Sequence, residues 1–478
     1  MRKIQTVPRM APSTRLVAAT AGDLRPLLVL LAAGLVVRLA LVAATSTSLQ
    51  IIDERQYAQL AESLAQGHGY AFTPGHPTSM RPPLYSWFVA GIWTLTGSHS
   101  VSAVRLVQIA LALLTTTAVY ALGLRLFDRR AALIAAALTC FYPSLLFSGL
   151  LLLTEVLFTL LVVVFVLQYD SLLRRPRILV AASVGATLGL AAMTRSVLWP
   201  FPLVLLPLLF LSLEGRVSRR AWVVGCCLAG YVGVVGPWAV RNTYLQRTTT
   251  MVDTMGGMNL RMGNYQYTPE DRMWDAVSIT GERNWSYGLR NIHPEAATWT
   301  DGQKDKWAQR EAISYMLSNP AITIRRSILK FADFWGLERE MPAAFEQGMY
   351  RPPVWFMWLA IGAVLVSYPL VVLGGAVGIF TSTPSSRGTH ALIISLIAFI
   401  AAVHSVVFGH SRYHLPLVPL LGVYAAAALA PSAIRAHVMA RSRVAAAAIA
   451  CGLLLLVWMH EVFFRDAEHV RALLQRLT

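Results

Sequence analysis

The feature that most limits how this chain can fold is its repeated runs of about 20 apolar residues, each long enough to cross a bilayer as a helix. In hydrocarbon every backbone N–H and C=O must be paired, so spanning segments are helices or closed barrels, and the alternation that marks barrel strands is absent. Composition agrees. Hydrophobic residues make up 56% of the 478 and charged ones 14%, where a soluble domain carries roughly a quarter charged; the mean hydropathy is +0.54. The fold class is therefore all-α polytopic membrane protein.

The pattern predicts about eleven spans, near residues 26–47, 101–127, 131–150, 154–170, 178–193, 199–213, 221–240, 353–380, 390–409, 415–432 and 443–460. The net charge of +17 does not require nucleic acid, because the arginines gather between apolar runs, as the positive-inside rule expects. Residues 1–25 are basic and read as a cytoplasmic tail. The second, fourth and sixth spans then end inside, and each ends in arginines: Arg129-Arg130, Arg174-Arg175 and Arg219-Arg220. Five regions follow: the tail, a transmembrane module at 26–240 with a first outer loop at 48–100, an extracytoplasmic cap at 241–352, C-terminal spans at 353–460 and a short outer tail at 461–478. The cap is rich in tryptophan, which suits a layer on the headgroups, and its residues 303–335 read as two helices broken near Asn319-Pro320. The four cysteines, Cys140, Cys226, Cys227 and Cys451, sit inside apolar runs and read as small buried hydrophobes.

Candidate chemistry collects on the predicted outer face. Asp53 and Glu54 follow the first span, and Tyr57, Leu60, Ala61 and Leu64 repeat at helical spacing, so residues 53–66 read as a surface-lying helix. Asp53 is either a helix cap or a functional carboxylate on these grounds. Glu155 stands between apolar runs at the outer end of the fourth span, where an acid is costly and faces a cavity or a partner. Arg81, Arg195, Arg241 and Arg412 lie at outer span ends, against the positive-inside tendency. An anion at the membrane surface explains several at once, since guanidinium pairs bidentately with phosphate; snorkelling to headgroups explains any single one. Arg38, inside the first span, must face protein or an acid. His410 and His414 are four apart and share a face if helical, which leaves a divalent metal open without specifying one. Met255-Gly256-Gly257 to Asn264 is a Gly-rich loop without phosphate-loop spacing.

Asp53-Glu54 with Tyr57, followed by Arg81-Pro82-Pro83-Leu84-Tyr85, resembles the first outer loop of GT-C type membrane glycosyltransferases, in the group of protein O-mannosyltransferases and lipid A aminoarabinose transferases. Thr154-Glu155-Val156-Leu157 resembles that group's second acidic site. Pro237-Trp238 with Arg241-Asn242, and Arg412-Tyr413 with Pro416 and Pro419, resemble its bacterial branch.

The resemblance implies transfer of a sugar from a polyprenyl-phosphate donor to a lipid, glycan or protein acceptor by an inverting displacement. It places a multi-pass monomer in the bacterial plasma (inner) membrane, in contact with membrane lipid, with its site facing the periplasm. Asp53 would be the base, Glu155 would orient and Glu54 support; Arg81, Arg195, Arg241 and Arg412 would hold the donor phosphate; Tyr57, Tyr85, His410 and His414 would contact substrate. If the acceptor were itself a phosphate, Asp53 would only position it. A transporter or flippase of an anionic lipid is the rival class, and it calls for broken helices around a mid-membrane site.

Overall fold

The computed structural model describes residues 21–270, 273–430 and 441–465. The basic tail through residue 20, the loop containing Arg435 and the tail beyond residue 465 lie outside the described residues. Every apolar run becomes helical. In the N-terminal half the helices are α1 Ala21–Ala44, α2 Ile52–Ala65, α3 Pro83–Thr96, α4 Val101–Leu126, α5 Arg129–Phe141, α6 Pro143–Ser148, α7 Glu155–Arg174, α8 Ile178–Thr194, α9 Pro202–Ser212 and α10 Val217–Gln246. The segment read as a cap contributes α11 Gly256–Met262, α12 Tyr287–Asn291, α13 Asp301–Ser318, α14 Pro320–Phe334 and α15 Glu340–Glu346, followed by α16 Val354–Thr381, α17 Arg387–Val406, α18 Val418–Leu429 and α19 Arg441–His460. A two-stranded hairpin, Ala71–Thr73 with His76–Pro77, is the only sheet among the described residues.

Seven helices (α1 from Leu24, α4, α7, α10, α16, α17 and α19, extended to Phe464) are long and apolar enough to cross a membrane. The other four predicted spans are shorter apolar elements: α8, α9, α18, and the pair α5–α6, which breaks before Pro143 because proline cannot continue the ladder. The two cap helices meet at Asn319-Pro320 as the sequence predicts.

The elements that carry the site are held by close packing. α8 lies directly on α10, and a Cβ at Gly185 would fall 1.8 Å from the Cys227 carbonyl oxygen. Gly185→Ala should force the helices apart, lower thermal stability by about 1–3 kcal/mol and displace Arg195 at the end of α8; an unchanged melting temperature would contradict this packing. α18 is buried along nearly its whole length against α16 and α5, and it follows directly on the turn that carries Arg412.

In the cap, α14 turns Arg326 and Lys330 inward. Arg326 donates to the Tyr265 and Thr268 carbonyls at 2.8 and 3.0 Å. The Lys330 amine donates to Asn264 Oδ1 and the Val406 carbonyl, both at 2.9 Å. Burial, with Arg326 nearby, lowers the Lys330 ammonium to about 7 from an ordinary 10.5. Between those values the unfolded chain holds a proton that the folded chain does not, so Lys330 makes stability rise with pH over that window. Lys330→Met should flatten the rise of melting temperature between pH 7 and pH 10; an unaltered slope would show that Lys330 is not its source.

Candidate active site

Two acids adjacent in sequence take different duties. α2 begins at Ile52, and the Glu54 carboxylate reaches back to accept the N–H groups of Gln50 and Ile51 at 2.9 and 3.0 Å. Its other oxygen accepts Leu152 N–H at 3.0 Å, which ties α2 to the turn before α7. Glu54 is fully buried, so it fixes the scaffold. Because Glu54 caps the helix, Asp53 is released from that role and remains 28% exposed.

Asp53 meets two arginines. Arg81 Nη2 lies 2.6 Å from Asp53 Oδ1, and Arg412 Nη1 lies 3.7 Å from Oδ2. Arg81 also donates to Gln56 Oε1, and its guanidinium sits 5.7 Å from the Tyr57 ring centre. Burial pushes the Tyr57 hydroxyl up to about 12, so it stays a neutral donor. Arg412 crosses to the second acid, with Nε 2.5 Å from Glu155 Oε1, and Arg195 Nη1 is 3.4 Å from the same oxygen. Asp53 and Glu155, 102 positions apart, thus join one network through Arg412. Glu155 is only 1% exposed, and its Oε2 has no hydrogen-bond partner. A buried carboxylate oxygen left unpaired is costly unless a ligand completes it.

Asp53, Tyr57, Arg81, Arg195 and Arg412 line an open cleft of about 900 Å³ together with Pro82, Thr154, Ser196, Asp253, His404 and Tyr413, while Glu155 stands behind Arg195 and Arg412 and borders the neighbouring pocket. Arg195 spends one of its five N–H donors on Glu155 and stacks near Phe158 and Tyr413. Unused guanidinium donors therefore face a concave space beside two carboxylates, an arrangement suited to binding an anion and orienting a hydroxyl. A second pocket of about 1010 Å³, lined largely by apolar residues such as Phe147, Leu151, Ala344 and Met349 and also by Glu155, shares His410 and Arg412 with the first.

The other predicted residues lie around this centre. Arg241 does not line the cleft; its Nη1 donates to the Thr78 carbonyl at 2.8 Å, and its guanidinium lies over Trp238. It fastens the segment before α3 to α10. Tyr85 is fully buried and donates to Gln108 Oε1 at 2.8 Å. His414 is likewise buried, with its ring nitrogens at the Phe334 carbonyl and at Glu338. His410 borders both cavities and pairs with Glu340 at 3.3 Å. Burial works to raise the Glu340 carboxyl, but the hydrogen bond and charge of His410 outweigh it and hold Glu340 at about 2. The two histidines thus engage different acids, and among the described residues no three His, Cys, Asp or Glu side chains form a metal-type cluster. Arg38 faces protein, donating to the Gly34 carbonyl at 3.2 Å.

Sequence reasoning passed over Asp253, a third carboxylate lining the cleft. Burial raises it above the ordinary carboxylate range, against the pull of Ser196, the Met255 N–H and Arg81. It stands two residues before Met255, where the stretch read as a Gly-rich loop begins; from Gly256 to Met262 that stretch is the helix α11 rather than a loop.

The chain is a multi-pass all-α membrane protein that resembles membrane glycosyltransferases of the GT-C type. Residues 80–252 match the family described as dolichyl-phosphate-mannose-protein mannosyltransferase. The matched stretch holds Arg81, Glu155, Arg195 and Arg241; Asp53, Asp253 and Arg412 fall outside it. No curated protein sequence matches the chain. Among solved structures it aligns with the oligosaccharyltransferase AglB from Archaeoglobus fulgidus, in complex with an inhibitory peptide and a dolichol-phosphate, at 13% identity and TM-score 0.48, over 92% of this chain and 55% of that one. This chain therefore spans about half the length of that enzyme. It also aligns with ArnT from Cupriavidus metallidurans bound to undecaprenyl phosphate, at 15% identity and TM-score 0.38, over 84% and 78% of the two chains.

Proposed function

We propose that the protein is a glycosyltransferase that moves a sugar from a polyprenyl-phosphate donor to a lipid, glycan or protein acceptor. Reaction occurs at the extracytoplasmic face of a bacterial inner membrane, and the active unit is a monomer. The observation that carries this reading is the ion-pair network of Asp53, Arg81, Arg412, Glu155 and Arg195, all but Glu155 lining one cleft, supported by the family match over residues 80–252.

In this structure each carboxylate occupies guanidinium donors that a phosphate would claim. When the donor phosphate binds among Arg81, Arg195 and Arg412, it competes with Asp53 for Arg81. The released Asp53 carboxylate then takes the proton of an acceptor hydroxyl as that oxygen attacks the anomeric carbon. The bond to the phosphate oxygen breaks on the opposite side, which inverts the centre. The arginines stabilise the charge that develops on the leaving phosphate. Glu155 Oε2 accepts a hydrogen bond from the incoming acceptor and fixes its direction. Arg241, at the loop-to-α10 junction, acts on the phosphate only by holding Arg81 in place.

The test uses the purified full chain with radiolabelled polyprenyl phosphate mannose and its glucose and arabinose counterparts. Arg81→Ala should weaken donor binding by roughly tenfold or more, since hydrogen bonds to charged groups are worth about 1.5–3 kcal/mol. Unchanged donor affinity would remove Arg81 from the phosphate site. Failure of the wild-type chain to transfer any sugar to membrane acceptors would remove the proposed activity.

A further inference from the structure

The Gly-rich stretch after α10 takes no part in the chemistry above, yet it forms a wall of the cleft through Asp253, Met255 and Asn259. It is fastened from behind. Thr254 N–H donates to the Ser79 carbonyl at 3.0 Å. Asp305 Oδ1 accepts the N–H groups of Gly257 and Met258 at 2.7 and 2.9 Å. A Cβ at Gly257 would fall 2.1 Å from the Asp305 carbonyl oxygen, so only glycine allows this approach. This segment, the residues leading into α11 and its first turn, is therefore a pre-formed surface.

Its polar groups are free for a ligand. Among the described residues Asp253 makes no ion pair; its Oδ1 accepts Met255 N–H at 3.2 Å. A carboxylate has about four acceptor positions, so acceptor capacity remains. The Asn259 side-chain amide has no hydrogen bond among the described residues and lines the same cleft. Tyr413 also lines it, its ring stacked on His404 at 4.3 Å. The segment itself contributes no cation to the cleft, so it is a poor phosphate site. Directional acceptors, an amide and a flat aromatic ring suit a polyhydroxyl ring instead.

We infer that the segment from Asp253 to Asn259, the residues leading into α11 and its first turn, reads the transferred sugar, with Asp253 and Asn259 taking its hydroxyls while the guanidinium groups hold its phosphate. This rests on the sugar-transfer reading and names the residues that set sugar choice. Specificity follows because a site built to bond a hydroxyl rejects an analogue that lacks it.

The experiment measures binding of sugar-free polyprenyl phosphate, and of polyprenyl phosphate mannose, glucose and arabinose, to the detergent-purified full chain. Wild type, Asp253→Asn and Asn259→Ala are compared, each checked for a single folded species. One of the sugars should bind wild type at least tenfold more tightly than the sugar-free lipid. That gain should shrink roughly ten- to hundredfold in Asp253→Asn, with sugar-free binding unchanged; Asn259→Ala supplies the same comparison if the first variant misfolds. A gain that survives in both variants, a loss shared by the sugar-free lipid, or no gain from any sugar would overturn the assignment. Wild type that binds none of the probes, sugar-free included, would instead remove the parent reading and this inference with it.

Discussion

Asp53→Asn should lower sugar transfer by roughly 10²–10⁴-fold, the usual range for a positioned general base, while the chain stays folded and still binds donor. The substitution is isosteric. Asparagine keeps an oxygen for Arg81 but cannot carry the proton of an acceptor hydroxyl. Because Asp53 is partly exposed and Glu54 caps α2, little stability depends on Asp53 itself. The measurement pairs single-turnover transfer of labelled sugar with donor affinity. Transfer lost at constant affinity supports the base. Transfer retained at the wild-type rate contradicts it. Loss of both together would mean that Asp53 serves to hold Arg81.

Arg412→Ala should have the largest combined effect. Arg412 is the link between the two acids, at 2.5 Å from Glu155 and 3.7 Å from Asp53. Removing it leaves Glu155, 1% exposed, with Arg195 at 3.4 Å as its remaining ion-pair partner. Breaking one side of a buried pair costs about 3–5 kcal/mol, so the melting temperature should fall sharply and transfer should be lost. The double variant with Glu155→Gln removes the uncompensated charge. It should regain most of the stability and none of the activity. If stability does not return, Glu155 was not the stranded charge; if activity returns with it, the arginine has no place in the chemistry.

Much of the architecture was legible because membrane spans announce themselves. A run of apolar residues must be helical in hydrocarbon, so each predicted run has its helix, and proline marked the break at Pro320; the break at Pro143 went unread. Length was less legible. Runs read as full spans, such as residues 131–150 and 415–432, are shorter helices joined to turns, because a buried segment can be as apolar as a lipid-facing one.

The site divides along the same physical line. Asp53, Arg81, Glu155, Arg195 and Arg412 stood out as charges where charge is expensive, and they converge. Glu54, Arg241, Tyr85 and His414 share their neighbourhood in sequence but turn to scaffold contacts. Side-chain direction there depends on partners far along the chain: Leu152 for Glu54, Thr78 for Arg241, Gln108 for Tyr85 and Glu338 for His414. Asp253 went unread because an acid in a polar loop is ordinary. Only the fold reveals that its loop is pinned beside Arg81.

The most direct measurement is a cryo-EM structure of the full chain with polyprenyl phosphate bound. The account predicts phosphate density within hydrogen-bonding distance of Arg81, Arg195 and Arg412, with the Asp53–Arg81 pair opened and the Asp53 carboxylate facing the cleft. Density at another site, or at the end of the helices away from Asp53, would contradict it.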